Sequence, residues 1–343
     1  MSEGSGSDER AVRRTGSDDS AVRRNGRGQG RRGEQPMVPE ATFDSYYGKP
    51  VLNPPVWEPR DIAGYLFLGG LAGGSSALAG GAHLTGRAQL ARTSKIGAAG
   101  AGLLSLAALV HDLGQPERFL HMLRVFKVTS PMSVGSWLLA GYVARAGITA
   151  GSAVTGRVPR IGAAATAGAA ALGPAVASYT AALISDTAVP AWHDGHREMP
   201  YVFVGSAATA AGGLGLLGTP LDQQGPARAL ALLGVAGELG VFERMKKRMG
   251  LVGEPYSAGR GGRLIHAGEA LSLAGAVGAV LGRRNRLASA LSGAALLAAS
   301  VATRFGIFHA GMDSARDPRY TVGPQRERLA ARAAGDHAPT VMR

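Results

Sequence analysis

The chain has 343 residues and no cysteine, which excludes disulfides and any thiolate-held iron–sulfur cluster carried by this polypeptide. Aromatic residues are scarce at 6%, so the formal charge of +13 does not read as a nucleic-acid surface built on base-stacking platforms. Charged residues amount to 18%, against about 25% in ordinary soluble proteins. What is abundant instead is apolar sequence (45%) and glycine (52 residues). A mean hydropathy of +0.05 then averages a polar tail with an apolar body, the balance expected of a membrane protein with soluble ends.

Residues 1–55 are a different material from the rest. GSDERAVRRTG (Gly6–Gly16) is followed by GSDDSAVRRNG (Gly16–Gly26), a degenerate repeat of mixed charge. With almost nothing apolar to offset the entropy of ordering, this segment is expected to be a disordered tail. No apolar stretch follows Arg13-Arg14 or Arg23-Arg24, so neither pair reads as a twin-arginine export signal. Pro50, Pro54, Pro55 and Pro59 make a stiff approach to the body.

From Ile62 onward apolar stretches alternate with short polar breaks. Eight are expected to cross a membrane as helices: Ile62–Leu84, Ser94–Val110, Ser133–Gly151, Ile161–Ile184, Tyr201–Gly218, Ala227–Phe242, Leu264–Leu281 and Leu287–Phe308. The expected fold is therefore all-α, a polytopic bundle over 56–312 with a C-terminal tail at 313–343. A soluble Ala-rich bundle is the competing reading. GGLAGGSSALAGG (Gly69–Gly81) argues against it, because each glycine in a helix in water costs roughly 1 kcal/mol relative to alanine. Eight crossings put both termini on one side, and that side holds well over twice the Lys and Arg of the opposite loops. The positive-inside rule then places both termini in the cytoplasm.

This topology also sorts the chemistry. His111, Asp112, Arg118, His121, Asp186, His193, His196, Glu243, His266, His309 and Asp313 fall on the terminal side, while His83 alone among the histidines lies towards the other. No expected span carries a histidine near its middle, which disfavours a haem held by two axial imidazoles. His266 and Glu269 share a helical face, but no second helix repeats the pattern a di-metal site needs. Arg145, Glu238 and Glu269 fall within or at the ends of spans, where an ionisable group is costly and normally faces protein or a water-filled path. Tyr179 and Asp186, seven residues apart, share one face of the fourth span near its cytoplasmic end. A phenol and a carboxylate there suit a carbonyl ligand that takes up protons, as a quinone does; packing and loop capping are the plain alternatives.

Several stretches, in order, carry a resemblance: WEPRDIAGYLFLGGLAGGS (Trp57–Ser75), HDLGQPERFLHML (His111–Leu123), SPMSVGSW (Ser130–Trp137), SYTAALISDTAVPAWHDGHREMPYVFVGSA (Ser178–Ala207) and RFGIFHAGMDSARDPRYTVGPQRER (Arg304–Arg328). Over 45–328 the chain resembles the membrane subunit of polysulfide reductase and its NrfD-like relatives, the integral-membrane partners of molybdopterin oxidoreductases. Gln115 stands where that family usually has Arg. The resemblance implies a bacterial inner-membrane subunit that exchanges electrons between menaquinone or ubiquinone and a four-cluster ferredoxin-like iron–sulfur subunit. That partner in turn serves a molybdenum- or tungsten-pterin catalytic subunit, so substrate chemistry would reside in another chain. It also implies a quinone site at Glu58, Asp61 and Tyr179, with Asp186 and His193 as proton donors or acceptors. Asp112, Arg118 and Asp317 would hold loops or dock the partner. A secondary transporter, with mid-membrane sites on repeated broken helices, and a purely structural anchor for a soluble enzyme are the rival functions.

Overall fold

A computed structural model describes residues 51–333, apart from 114 and 116; the expected disorder of 1–55 lies almost wholly outside the described residues. Among the described residues there are eleven α-helices and no strand. The long ones are α1 (Pro59–Leu84), α2 (Ala88–Asp112), α4 (Pro131–Thr155), α5 (Pro159–Ser185), α7 (Met199–Gly218), α8 (Gly225–Met249), α9 (Gly259–Leu281) and α10 (Arg286–Arg316). Three short ones lie in the connections or beyond α10: α3 (Glu117–Met122), α6 (Pro190–Asp194) and α11 (Arg319–Ala333). Seven of the eight long helices are long and apolar enough to span a bilayer. The eighth, α4, has 25 residues but carries Arg145 near its middle, which lowers its apolarity.

Local sequence explains where these helices begin and stop. Proline occupies the first turn of α1, α4, α5, α6, α7 and α8, where its missing N–H costs nothing and its fixed φ favours entry. Asn285 caps α10 by accepting from the backbone N–H of Leu287 and Ala288. Gly156, at φ 70°, ends α4 in the left-handed conformation. Polar residues do not by themselves stop a helix, so α10 runs past the expected limit at Phe308, and through the expected boundary at 312/313, to Arg316.

Packing is inverted relative to a water-soluble bundle. The interior is largely Ala, Gly and Ser with a few aromatics, whereas Leu103, Leu104, Ile161, Leu233, Leu273, Val277 and Leu291 are each more than half exposed on the outside. In lipid, outward leucines cost nothing, and small residues let helices close up. At Gly73 of α1 and Gly173 of α5 each backbone touches the other so closely that a methyl group on either would meet a carbonyl oxygen. Gly213 of α7 and Gly293 of α10 make the same contact. Central α1 packs against α2, α5, α7 and α10, and its first turn thereby sits among the ends of several helices.

Candidate functional site at the terminal face

Trp192 fixes the geometry at this face. It is fully buried, donates its indole N–H to the Ile307 carbonyl at 2.8 Å, and stacks on Trp57 with ring centroids 5.7 Å apart. Its ring fills the space beside Gly311 that any side chain would take, and the Tyr256 hydroxyl donates to the neighbouring Ala191 carbonyl at 2.9 Å. α6 is thereby clamped between the entry to α1 and the end of α10.

Beside this clamp, α1, α2, α5, the first turn of α4 and the α2–α4 connection enclose a mostly apolar cleft of ≈ 50 Å³. Its wall includes Trp57, Tyr65, Leu109, Asp112, Met122, Met132 and Ile184. The Tyr65 hydroxyl is buried with no hydrogen-bond partner among the described residues, although buried phenols normally have one. One turn earlier on the same face, the Asp61 carboxylate meets Nδ1 of His111 at 2.8 Å; His111 is 80% exposed and Asp61 21%. Tyr179 crosses Tyr65 edge to face at 6.5 Å and lies flat on Gly135, where a methyl group would strike its ring. A donor without an acceptor, inside an apolar wall and near a titratable pair, suits a ligand that is apolar except for carbonyl oxygens. A quinone fits that donor set, provided the wall opens.

The five residues expected at the site separate into two groups. Neither Asp61 nor Tyr179 lines the cleft: Tyr179 meets the lining Tyr65, Asp61 and its partner His111 stand next in the chain to the lining Ile62 and Asp112, and Glu58, exposed beside the lining Trp57, is the N-cap of α1 without a side-chain capping bond. Asp186 is exposed at the C-cap of α5. It stands between Ile184, which lines the cleft, and Thr187, which lines a separate open surface hollow of ≈ 600 Å³. His193 borders that hollow with Asp194, Arg248 and Tyr320, its Nδ1 against the Ser185 carbonyl at 3.1 Å. Sequence reading did not single out Tyr65 and Trp57, and placed His111 on the terminal side without giving it a partner. The available signal was the i, i+4 spacing of Asp61 and Tyr65; the partnership with His111 is fifty residues distant and has no local signature.

Ion pairs organise the rest of this face. Arg248 grips Glu198 with two hydrogen bonds of 2.8 and 2.7 Å and also donates to the Asp194 carbonyl. Those bonds, followed in weight by the Coulomb attraction of Arg248, hold the Glu198 carboxyl below its ordinary range against the opposing effect of burial. Lys246 of α8 lies between Glu243 at 3.0 Å and Glu269 of α9 at 3.2 Å. Arg319 joins Glu254 at 3.0 Å and Asp317 at 2.8 Å, so Asp317 does tie the chain together where α11 begins. The Arg118 side chain lies outside the described residues.

Deeper in the bundle, Glu238 and Arg304 are buried. The Arg304 guanidinium stacks on Phe203 at 3.6 Å and donates to the Phe203 carbonyl at 2.7 Å, while Glu238 accepts from Thr209 at 3.4 Å. Arg145 instead lies exposed on the outside of α4, donating to its own Gly141 carbonyl at 2.7 Å.

An all-helical bundle whose large apolar side chains face outward, with its titratable groups gathered at one end, is a multi-pass membrane protein. The family model for polysulphide reductase, NrfD, matches residues 52–221, and over that stretch, from the entry of α1 past the end of α7, the chain belongs to the NrfD family of membrane subunits. The match includes every residue placed around the cleft and ends before α8, so Glu238, Arg304 and the Arg304–Arg328 stretch lie beyond it. No curated protein matches the chain.

Proposed function

We propose that the chain is the quinone-reactive membrane subunit of a multi-subunit molybdopterin oxidoreductase, with its site in the cleft at the start of α1. The observation that carries this reading is the buried, unpartnered Tyr65 hydroxyl in an apolar wall beside the Asp61–His111 pair. Bound there, a menaquinone or ubiquinone supplies a two-electron, two-proton couple. Tyr65 donates its hydroxyl proton in a hydrogen bond to a carbonyl oxygen, and Tyr179 orients the Tyr65 ring through their edge contact. The Asp61–His111 pair holds a proton at Nδ1 or the carboxylate, and exposed His111 exchanges it with the aqueous side. Glu58 on the rim and Asp186 and His193 along the same face extend the set of groups able to trade protons with water.

The surface hollow beside His193 and Arg248 is where a four-cluster iron–sulfur subunit would dock, itself bound to a molybdenum- or tungsten-pterin subunit. Both termini would then be cytoplasmic in a bacterial inner membrane, and the chain alone would contain neither haem nor cluster. Steady-state quinone kinetics on the purified complex test the site. Removing the hydroxyl in Tyr65→Phe should weaken quinone binding by several-fold, the equivalent of roughly 0.5–1.5 kcal/mol, and Tyr179→Leu, which removes the ring that meets Tyr65 edge to face, should weaken it as well. Asp61→Asn should lower turnover more than affinity. Unchanged kinetics in all three variants, with assembly intact, would leave the chain as a structural anchor.

A further inference from the structure

We infer that the connection between α2 and α4 forms a lateral entrance from the lipid, with Met122 and Met132 as its gate and an outer groove that holds the isoprenoid tail. The inference rests on the quinone reading of the cleft and adds to it a binding subsite for a prenyl chain. Its first support is shared lining: Met122 and Met132 wall the inner cleft and also an outward-facing groove of ≈ 250 Å³, so only these side chains need move to join the two.

A second support is the character of the connection. Leu120, Val125, Phe126 and Val128 are 65%, 67%, 60% and 75% exposed, an arrangement suited to acyl chains and poorly suited to water. Yet the segment is fixed. The Val125 carbonyl accepts from Ser133 Oγ at 3.0 Å and from the Trp137 indole at 3.4 Å, and the Lys127 N–H donates to Ser133 Oγ at 3.0 Å. Phe126 packs edge-on against Trp137 at 6.4 Å. An exposed Trp beside a Lys marks the depth of lipid headgroups, which places the groove at the boundary where a tail leaves hydrocarbon and a ring enters protein.

Size supplies the third support. At ≈ 50 Å³ the cleft is far below the roughly 300–1,000 Å³ of small-molecule pockets, so even the ring enters only when the wall opens, and a prenyl tail stays outside. Trp57 is stacked on the buried Trp192, and Tyr65 and Ile184 are themselves buried on long helices, whereas Met122 ends the short α3 and Met132 is the second residue of α4. Met132 is 47% exposed, and unbranched thioether chains repack readily. The soft wall is therefore the methionine pair.

The full-length chain in nanodiscs of defined phospholipid provides the test, using three probes: menadione (ring only), menaquinone bearing a photoreactive diazirine on its tail, and a phospholipid with a diazirine on an acyl chain. The tailed quinone should label 120–133, in competition with unlabelled menaquinone. Val125→Phe, which fills the outer groove without lining the inner cleft, should weaken tailed-quinone binding about ten-fold while menadione changes less than about two-fold, and Met122→Phe and Met132→Phe, which narrow the shared wall, should weaken the tailed quinone more than menadione. Labelling elsewhere, labelling of 120–133 by the phospholipid probe alone, or equal loss of both quinones would overturn the entrance. Menadione failing to bind wild-type protein would instead remove the quinone site itself, and gate variants that bind tailed quinone normally would remove the entrance but leave the site.

Discussion

Replacing Arg304 by methionine should destabilise the bundle by about 3–4 kcal/mol. The guanidinium is completely buried, lies 3.6 Å over the Phe203 ring, and sits so near α1 that a methyl group on Gly70 would come within 3.1 Å of its Nη2. It therefore joins α10 to α1 and α7. A desolvated cation–π contact contributes about 2 kcal/mol, and a charged hydrogen bond to a carbonyl about 1.5–3 kcal/mol. Methionine keeps much of the apolar volume and removes the cost of burying the guanidinium, which offsets part of that loss. Against this, Glu238 loses a nearby cation whose charge it feels without a salt-bridge contact, at a cost below the roughly 3–5 kcal/mol of breaking a contacting buried pair. Glu238→Gln in the same background should recover part of the loss. The coupling between the two sites should be on the order of 1–3 kcal/mol, above the 0.6 kcal/mol or so typical of neutral hydrogen bonds between membrane helices. Reversible unfolding in mixed detergent–SDS micelles, followed by circular dichroism for the wild type, both single variants and the double variant, measures all four corners. A single-variant cost under about 1 kcal/mol, or strictly additive losses, would refute the assignment of Arg304 as the charged tie between these helices.

Three further outcomes follow from particular contacts. Because Glu198 is held below its ordinary pKa of 4.5, its tie to Arg248 contributes stability fully above pH 4.5 and loses it as pH falls through the depressed value; hydrogen exchange across 190–198 should be pH-independent after intrinsic correction above that point and accelerate below it, and Glu198→Gln should abolish the dependence. Gly73→Ala should cost about 1–3 kcal/mol by forcing α1 off α5, whereas Gly100→Ala, where a methyl group meets nothing within 4 Å, should be neutral or stabilise by up to about 1 kcal/mol; thermal unfolding monitored by size exclusion separates them, and equal effects would contradict the close approach. Trp192→Phe removes the indole N–H donated to the Ile307 carbonyl and leaves part of the space beside Gly311 unfilled, and should cost about 1–3 kcal/mol, read in the same assay, with an unchanged midpoint counting against the clamp.

How much of this was legible in the sequence depends on the range of the interaction. The eight spans could be read because a bilayer imposes length and apolarity locally, and each expected span falls within a long helix. Which face of a helix looks inward could not be read from hydropathy, since the buried side is Gly, Ala and Ser and the outer side Leu and Val. Of the ionisable residues expected to face protein or a path, Glu238 is buried but Arg145 is exposed on α4. At the candidate site, Asp61 and Tyr179 were visible as residues, but the Asp61–His111 bond and the unpartnered Tyr65 hydroxyl arise only when α1, α2 and α5 meet. The expected Tyr179–Asp186 pairing follows the helix correctly, yet the half-buried phenol and the exposed carboxylate occupy different surroundings.

The two ends of the bundle are held by different chemistry, and that difference bears on where protons can move. At the end away from the termini, charged and amide side chains are spent on helix-end carbonyls. Gln224 donates to the Leu216 and Thr219 carbonyls at 2.9 and 2.7 Å, Arg228 to that of Ala279 at 2.7 Å, and Arg286 to those of Leu216 and Leu217. These bonds satisfy acceptors that every helix leaves open, and neither a carbonyl, an amide nor a guanidinium exchanges its proton state near neutral pH. At the terminal end, the ties run between side chains of which several do titrate: Asp61 with His111, Glu198 with Arg248, Lys246 with Glu243 and Glu269. A site that must pass protons between a buried carbonyl and water requires groups of the second kind, and among the described residues only the terminal end places an imidazole and a carboxylate in contact beside an apolar cleft.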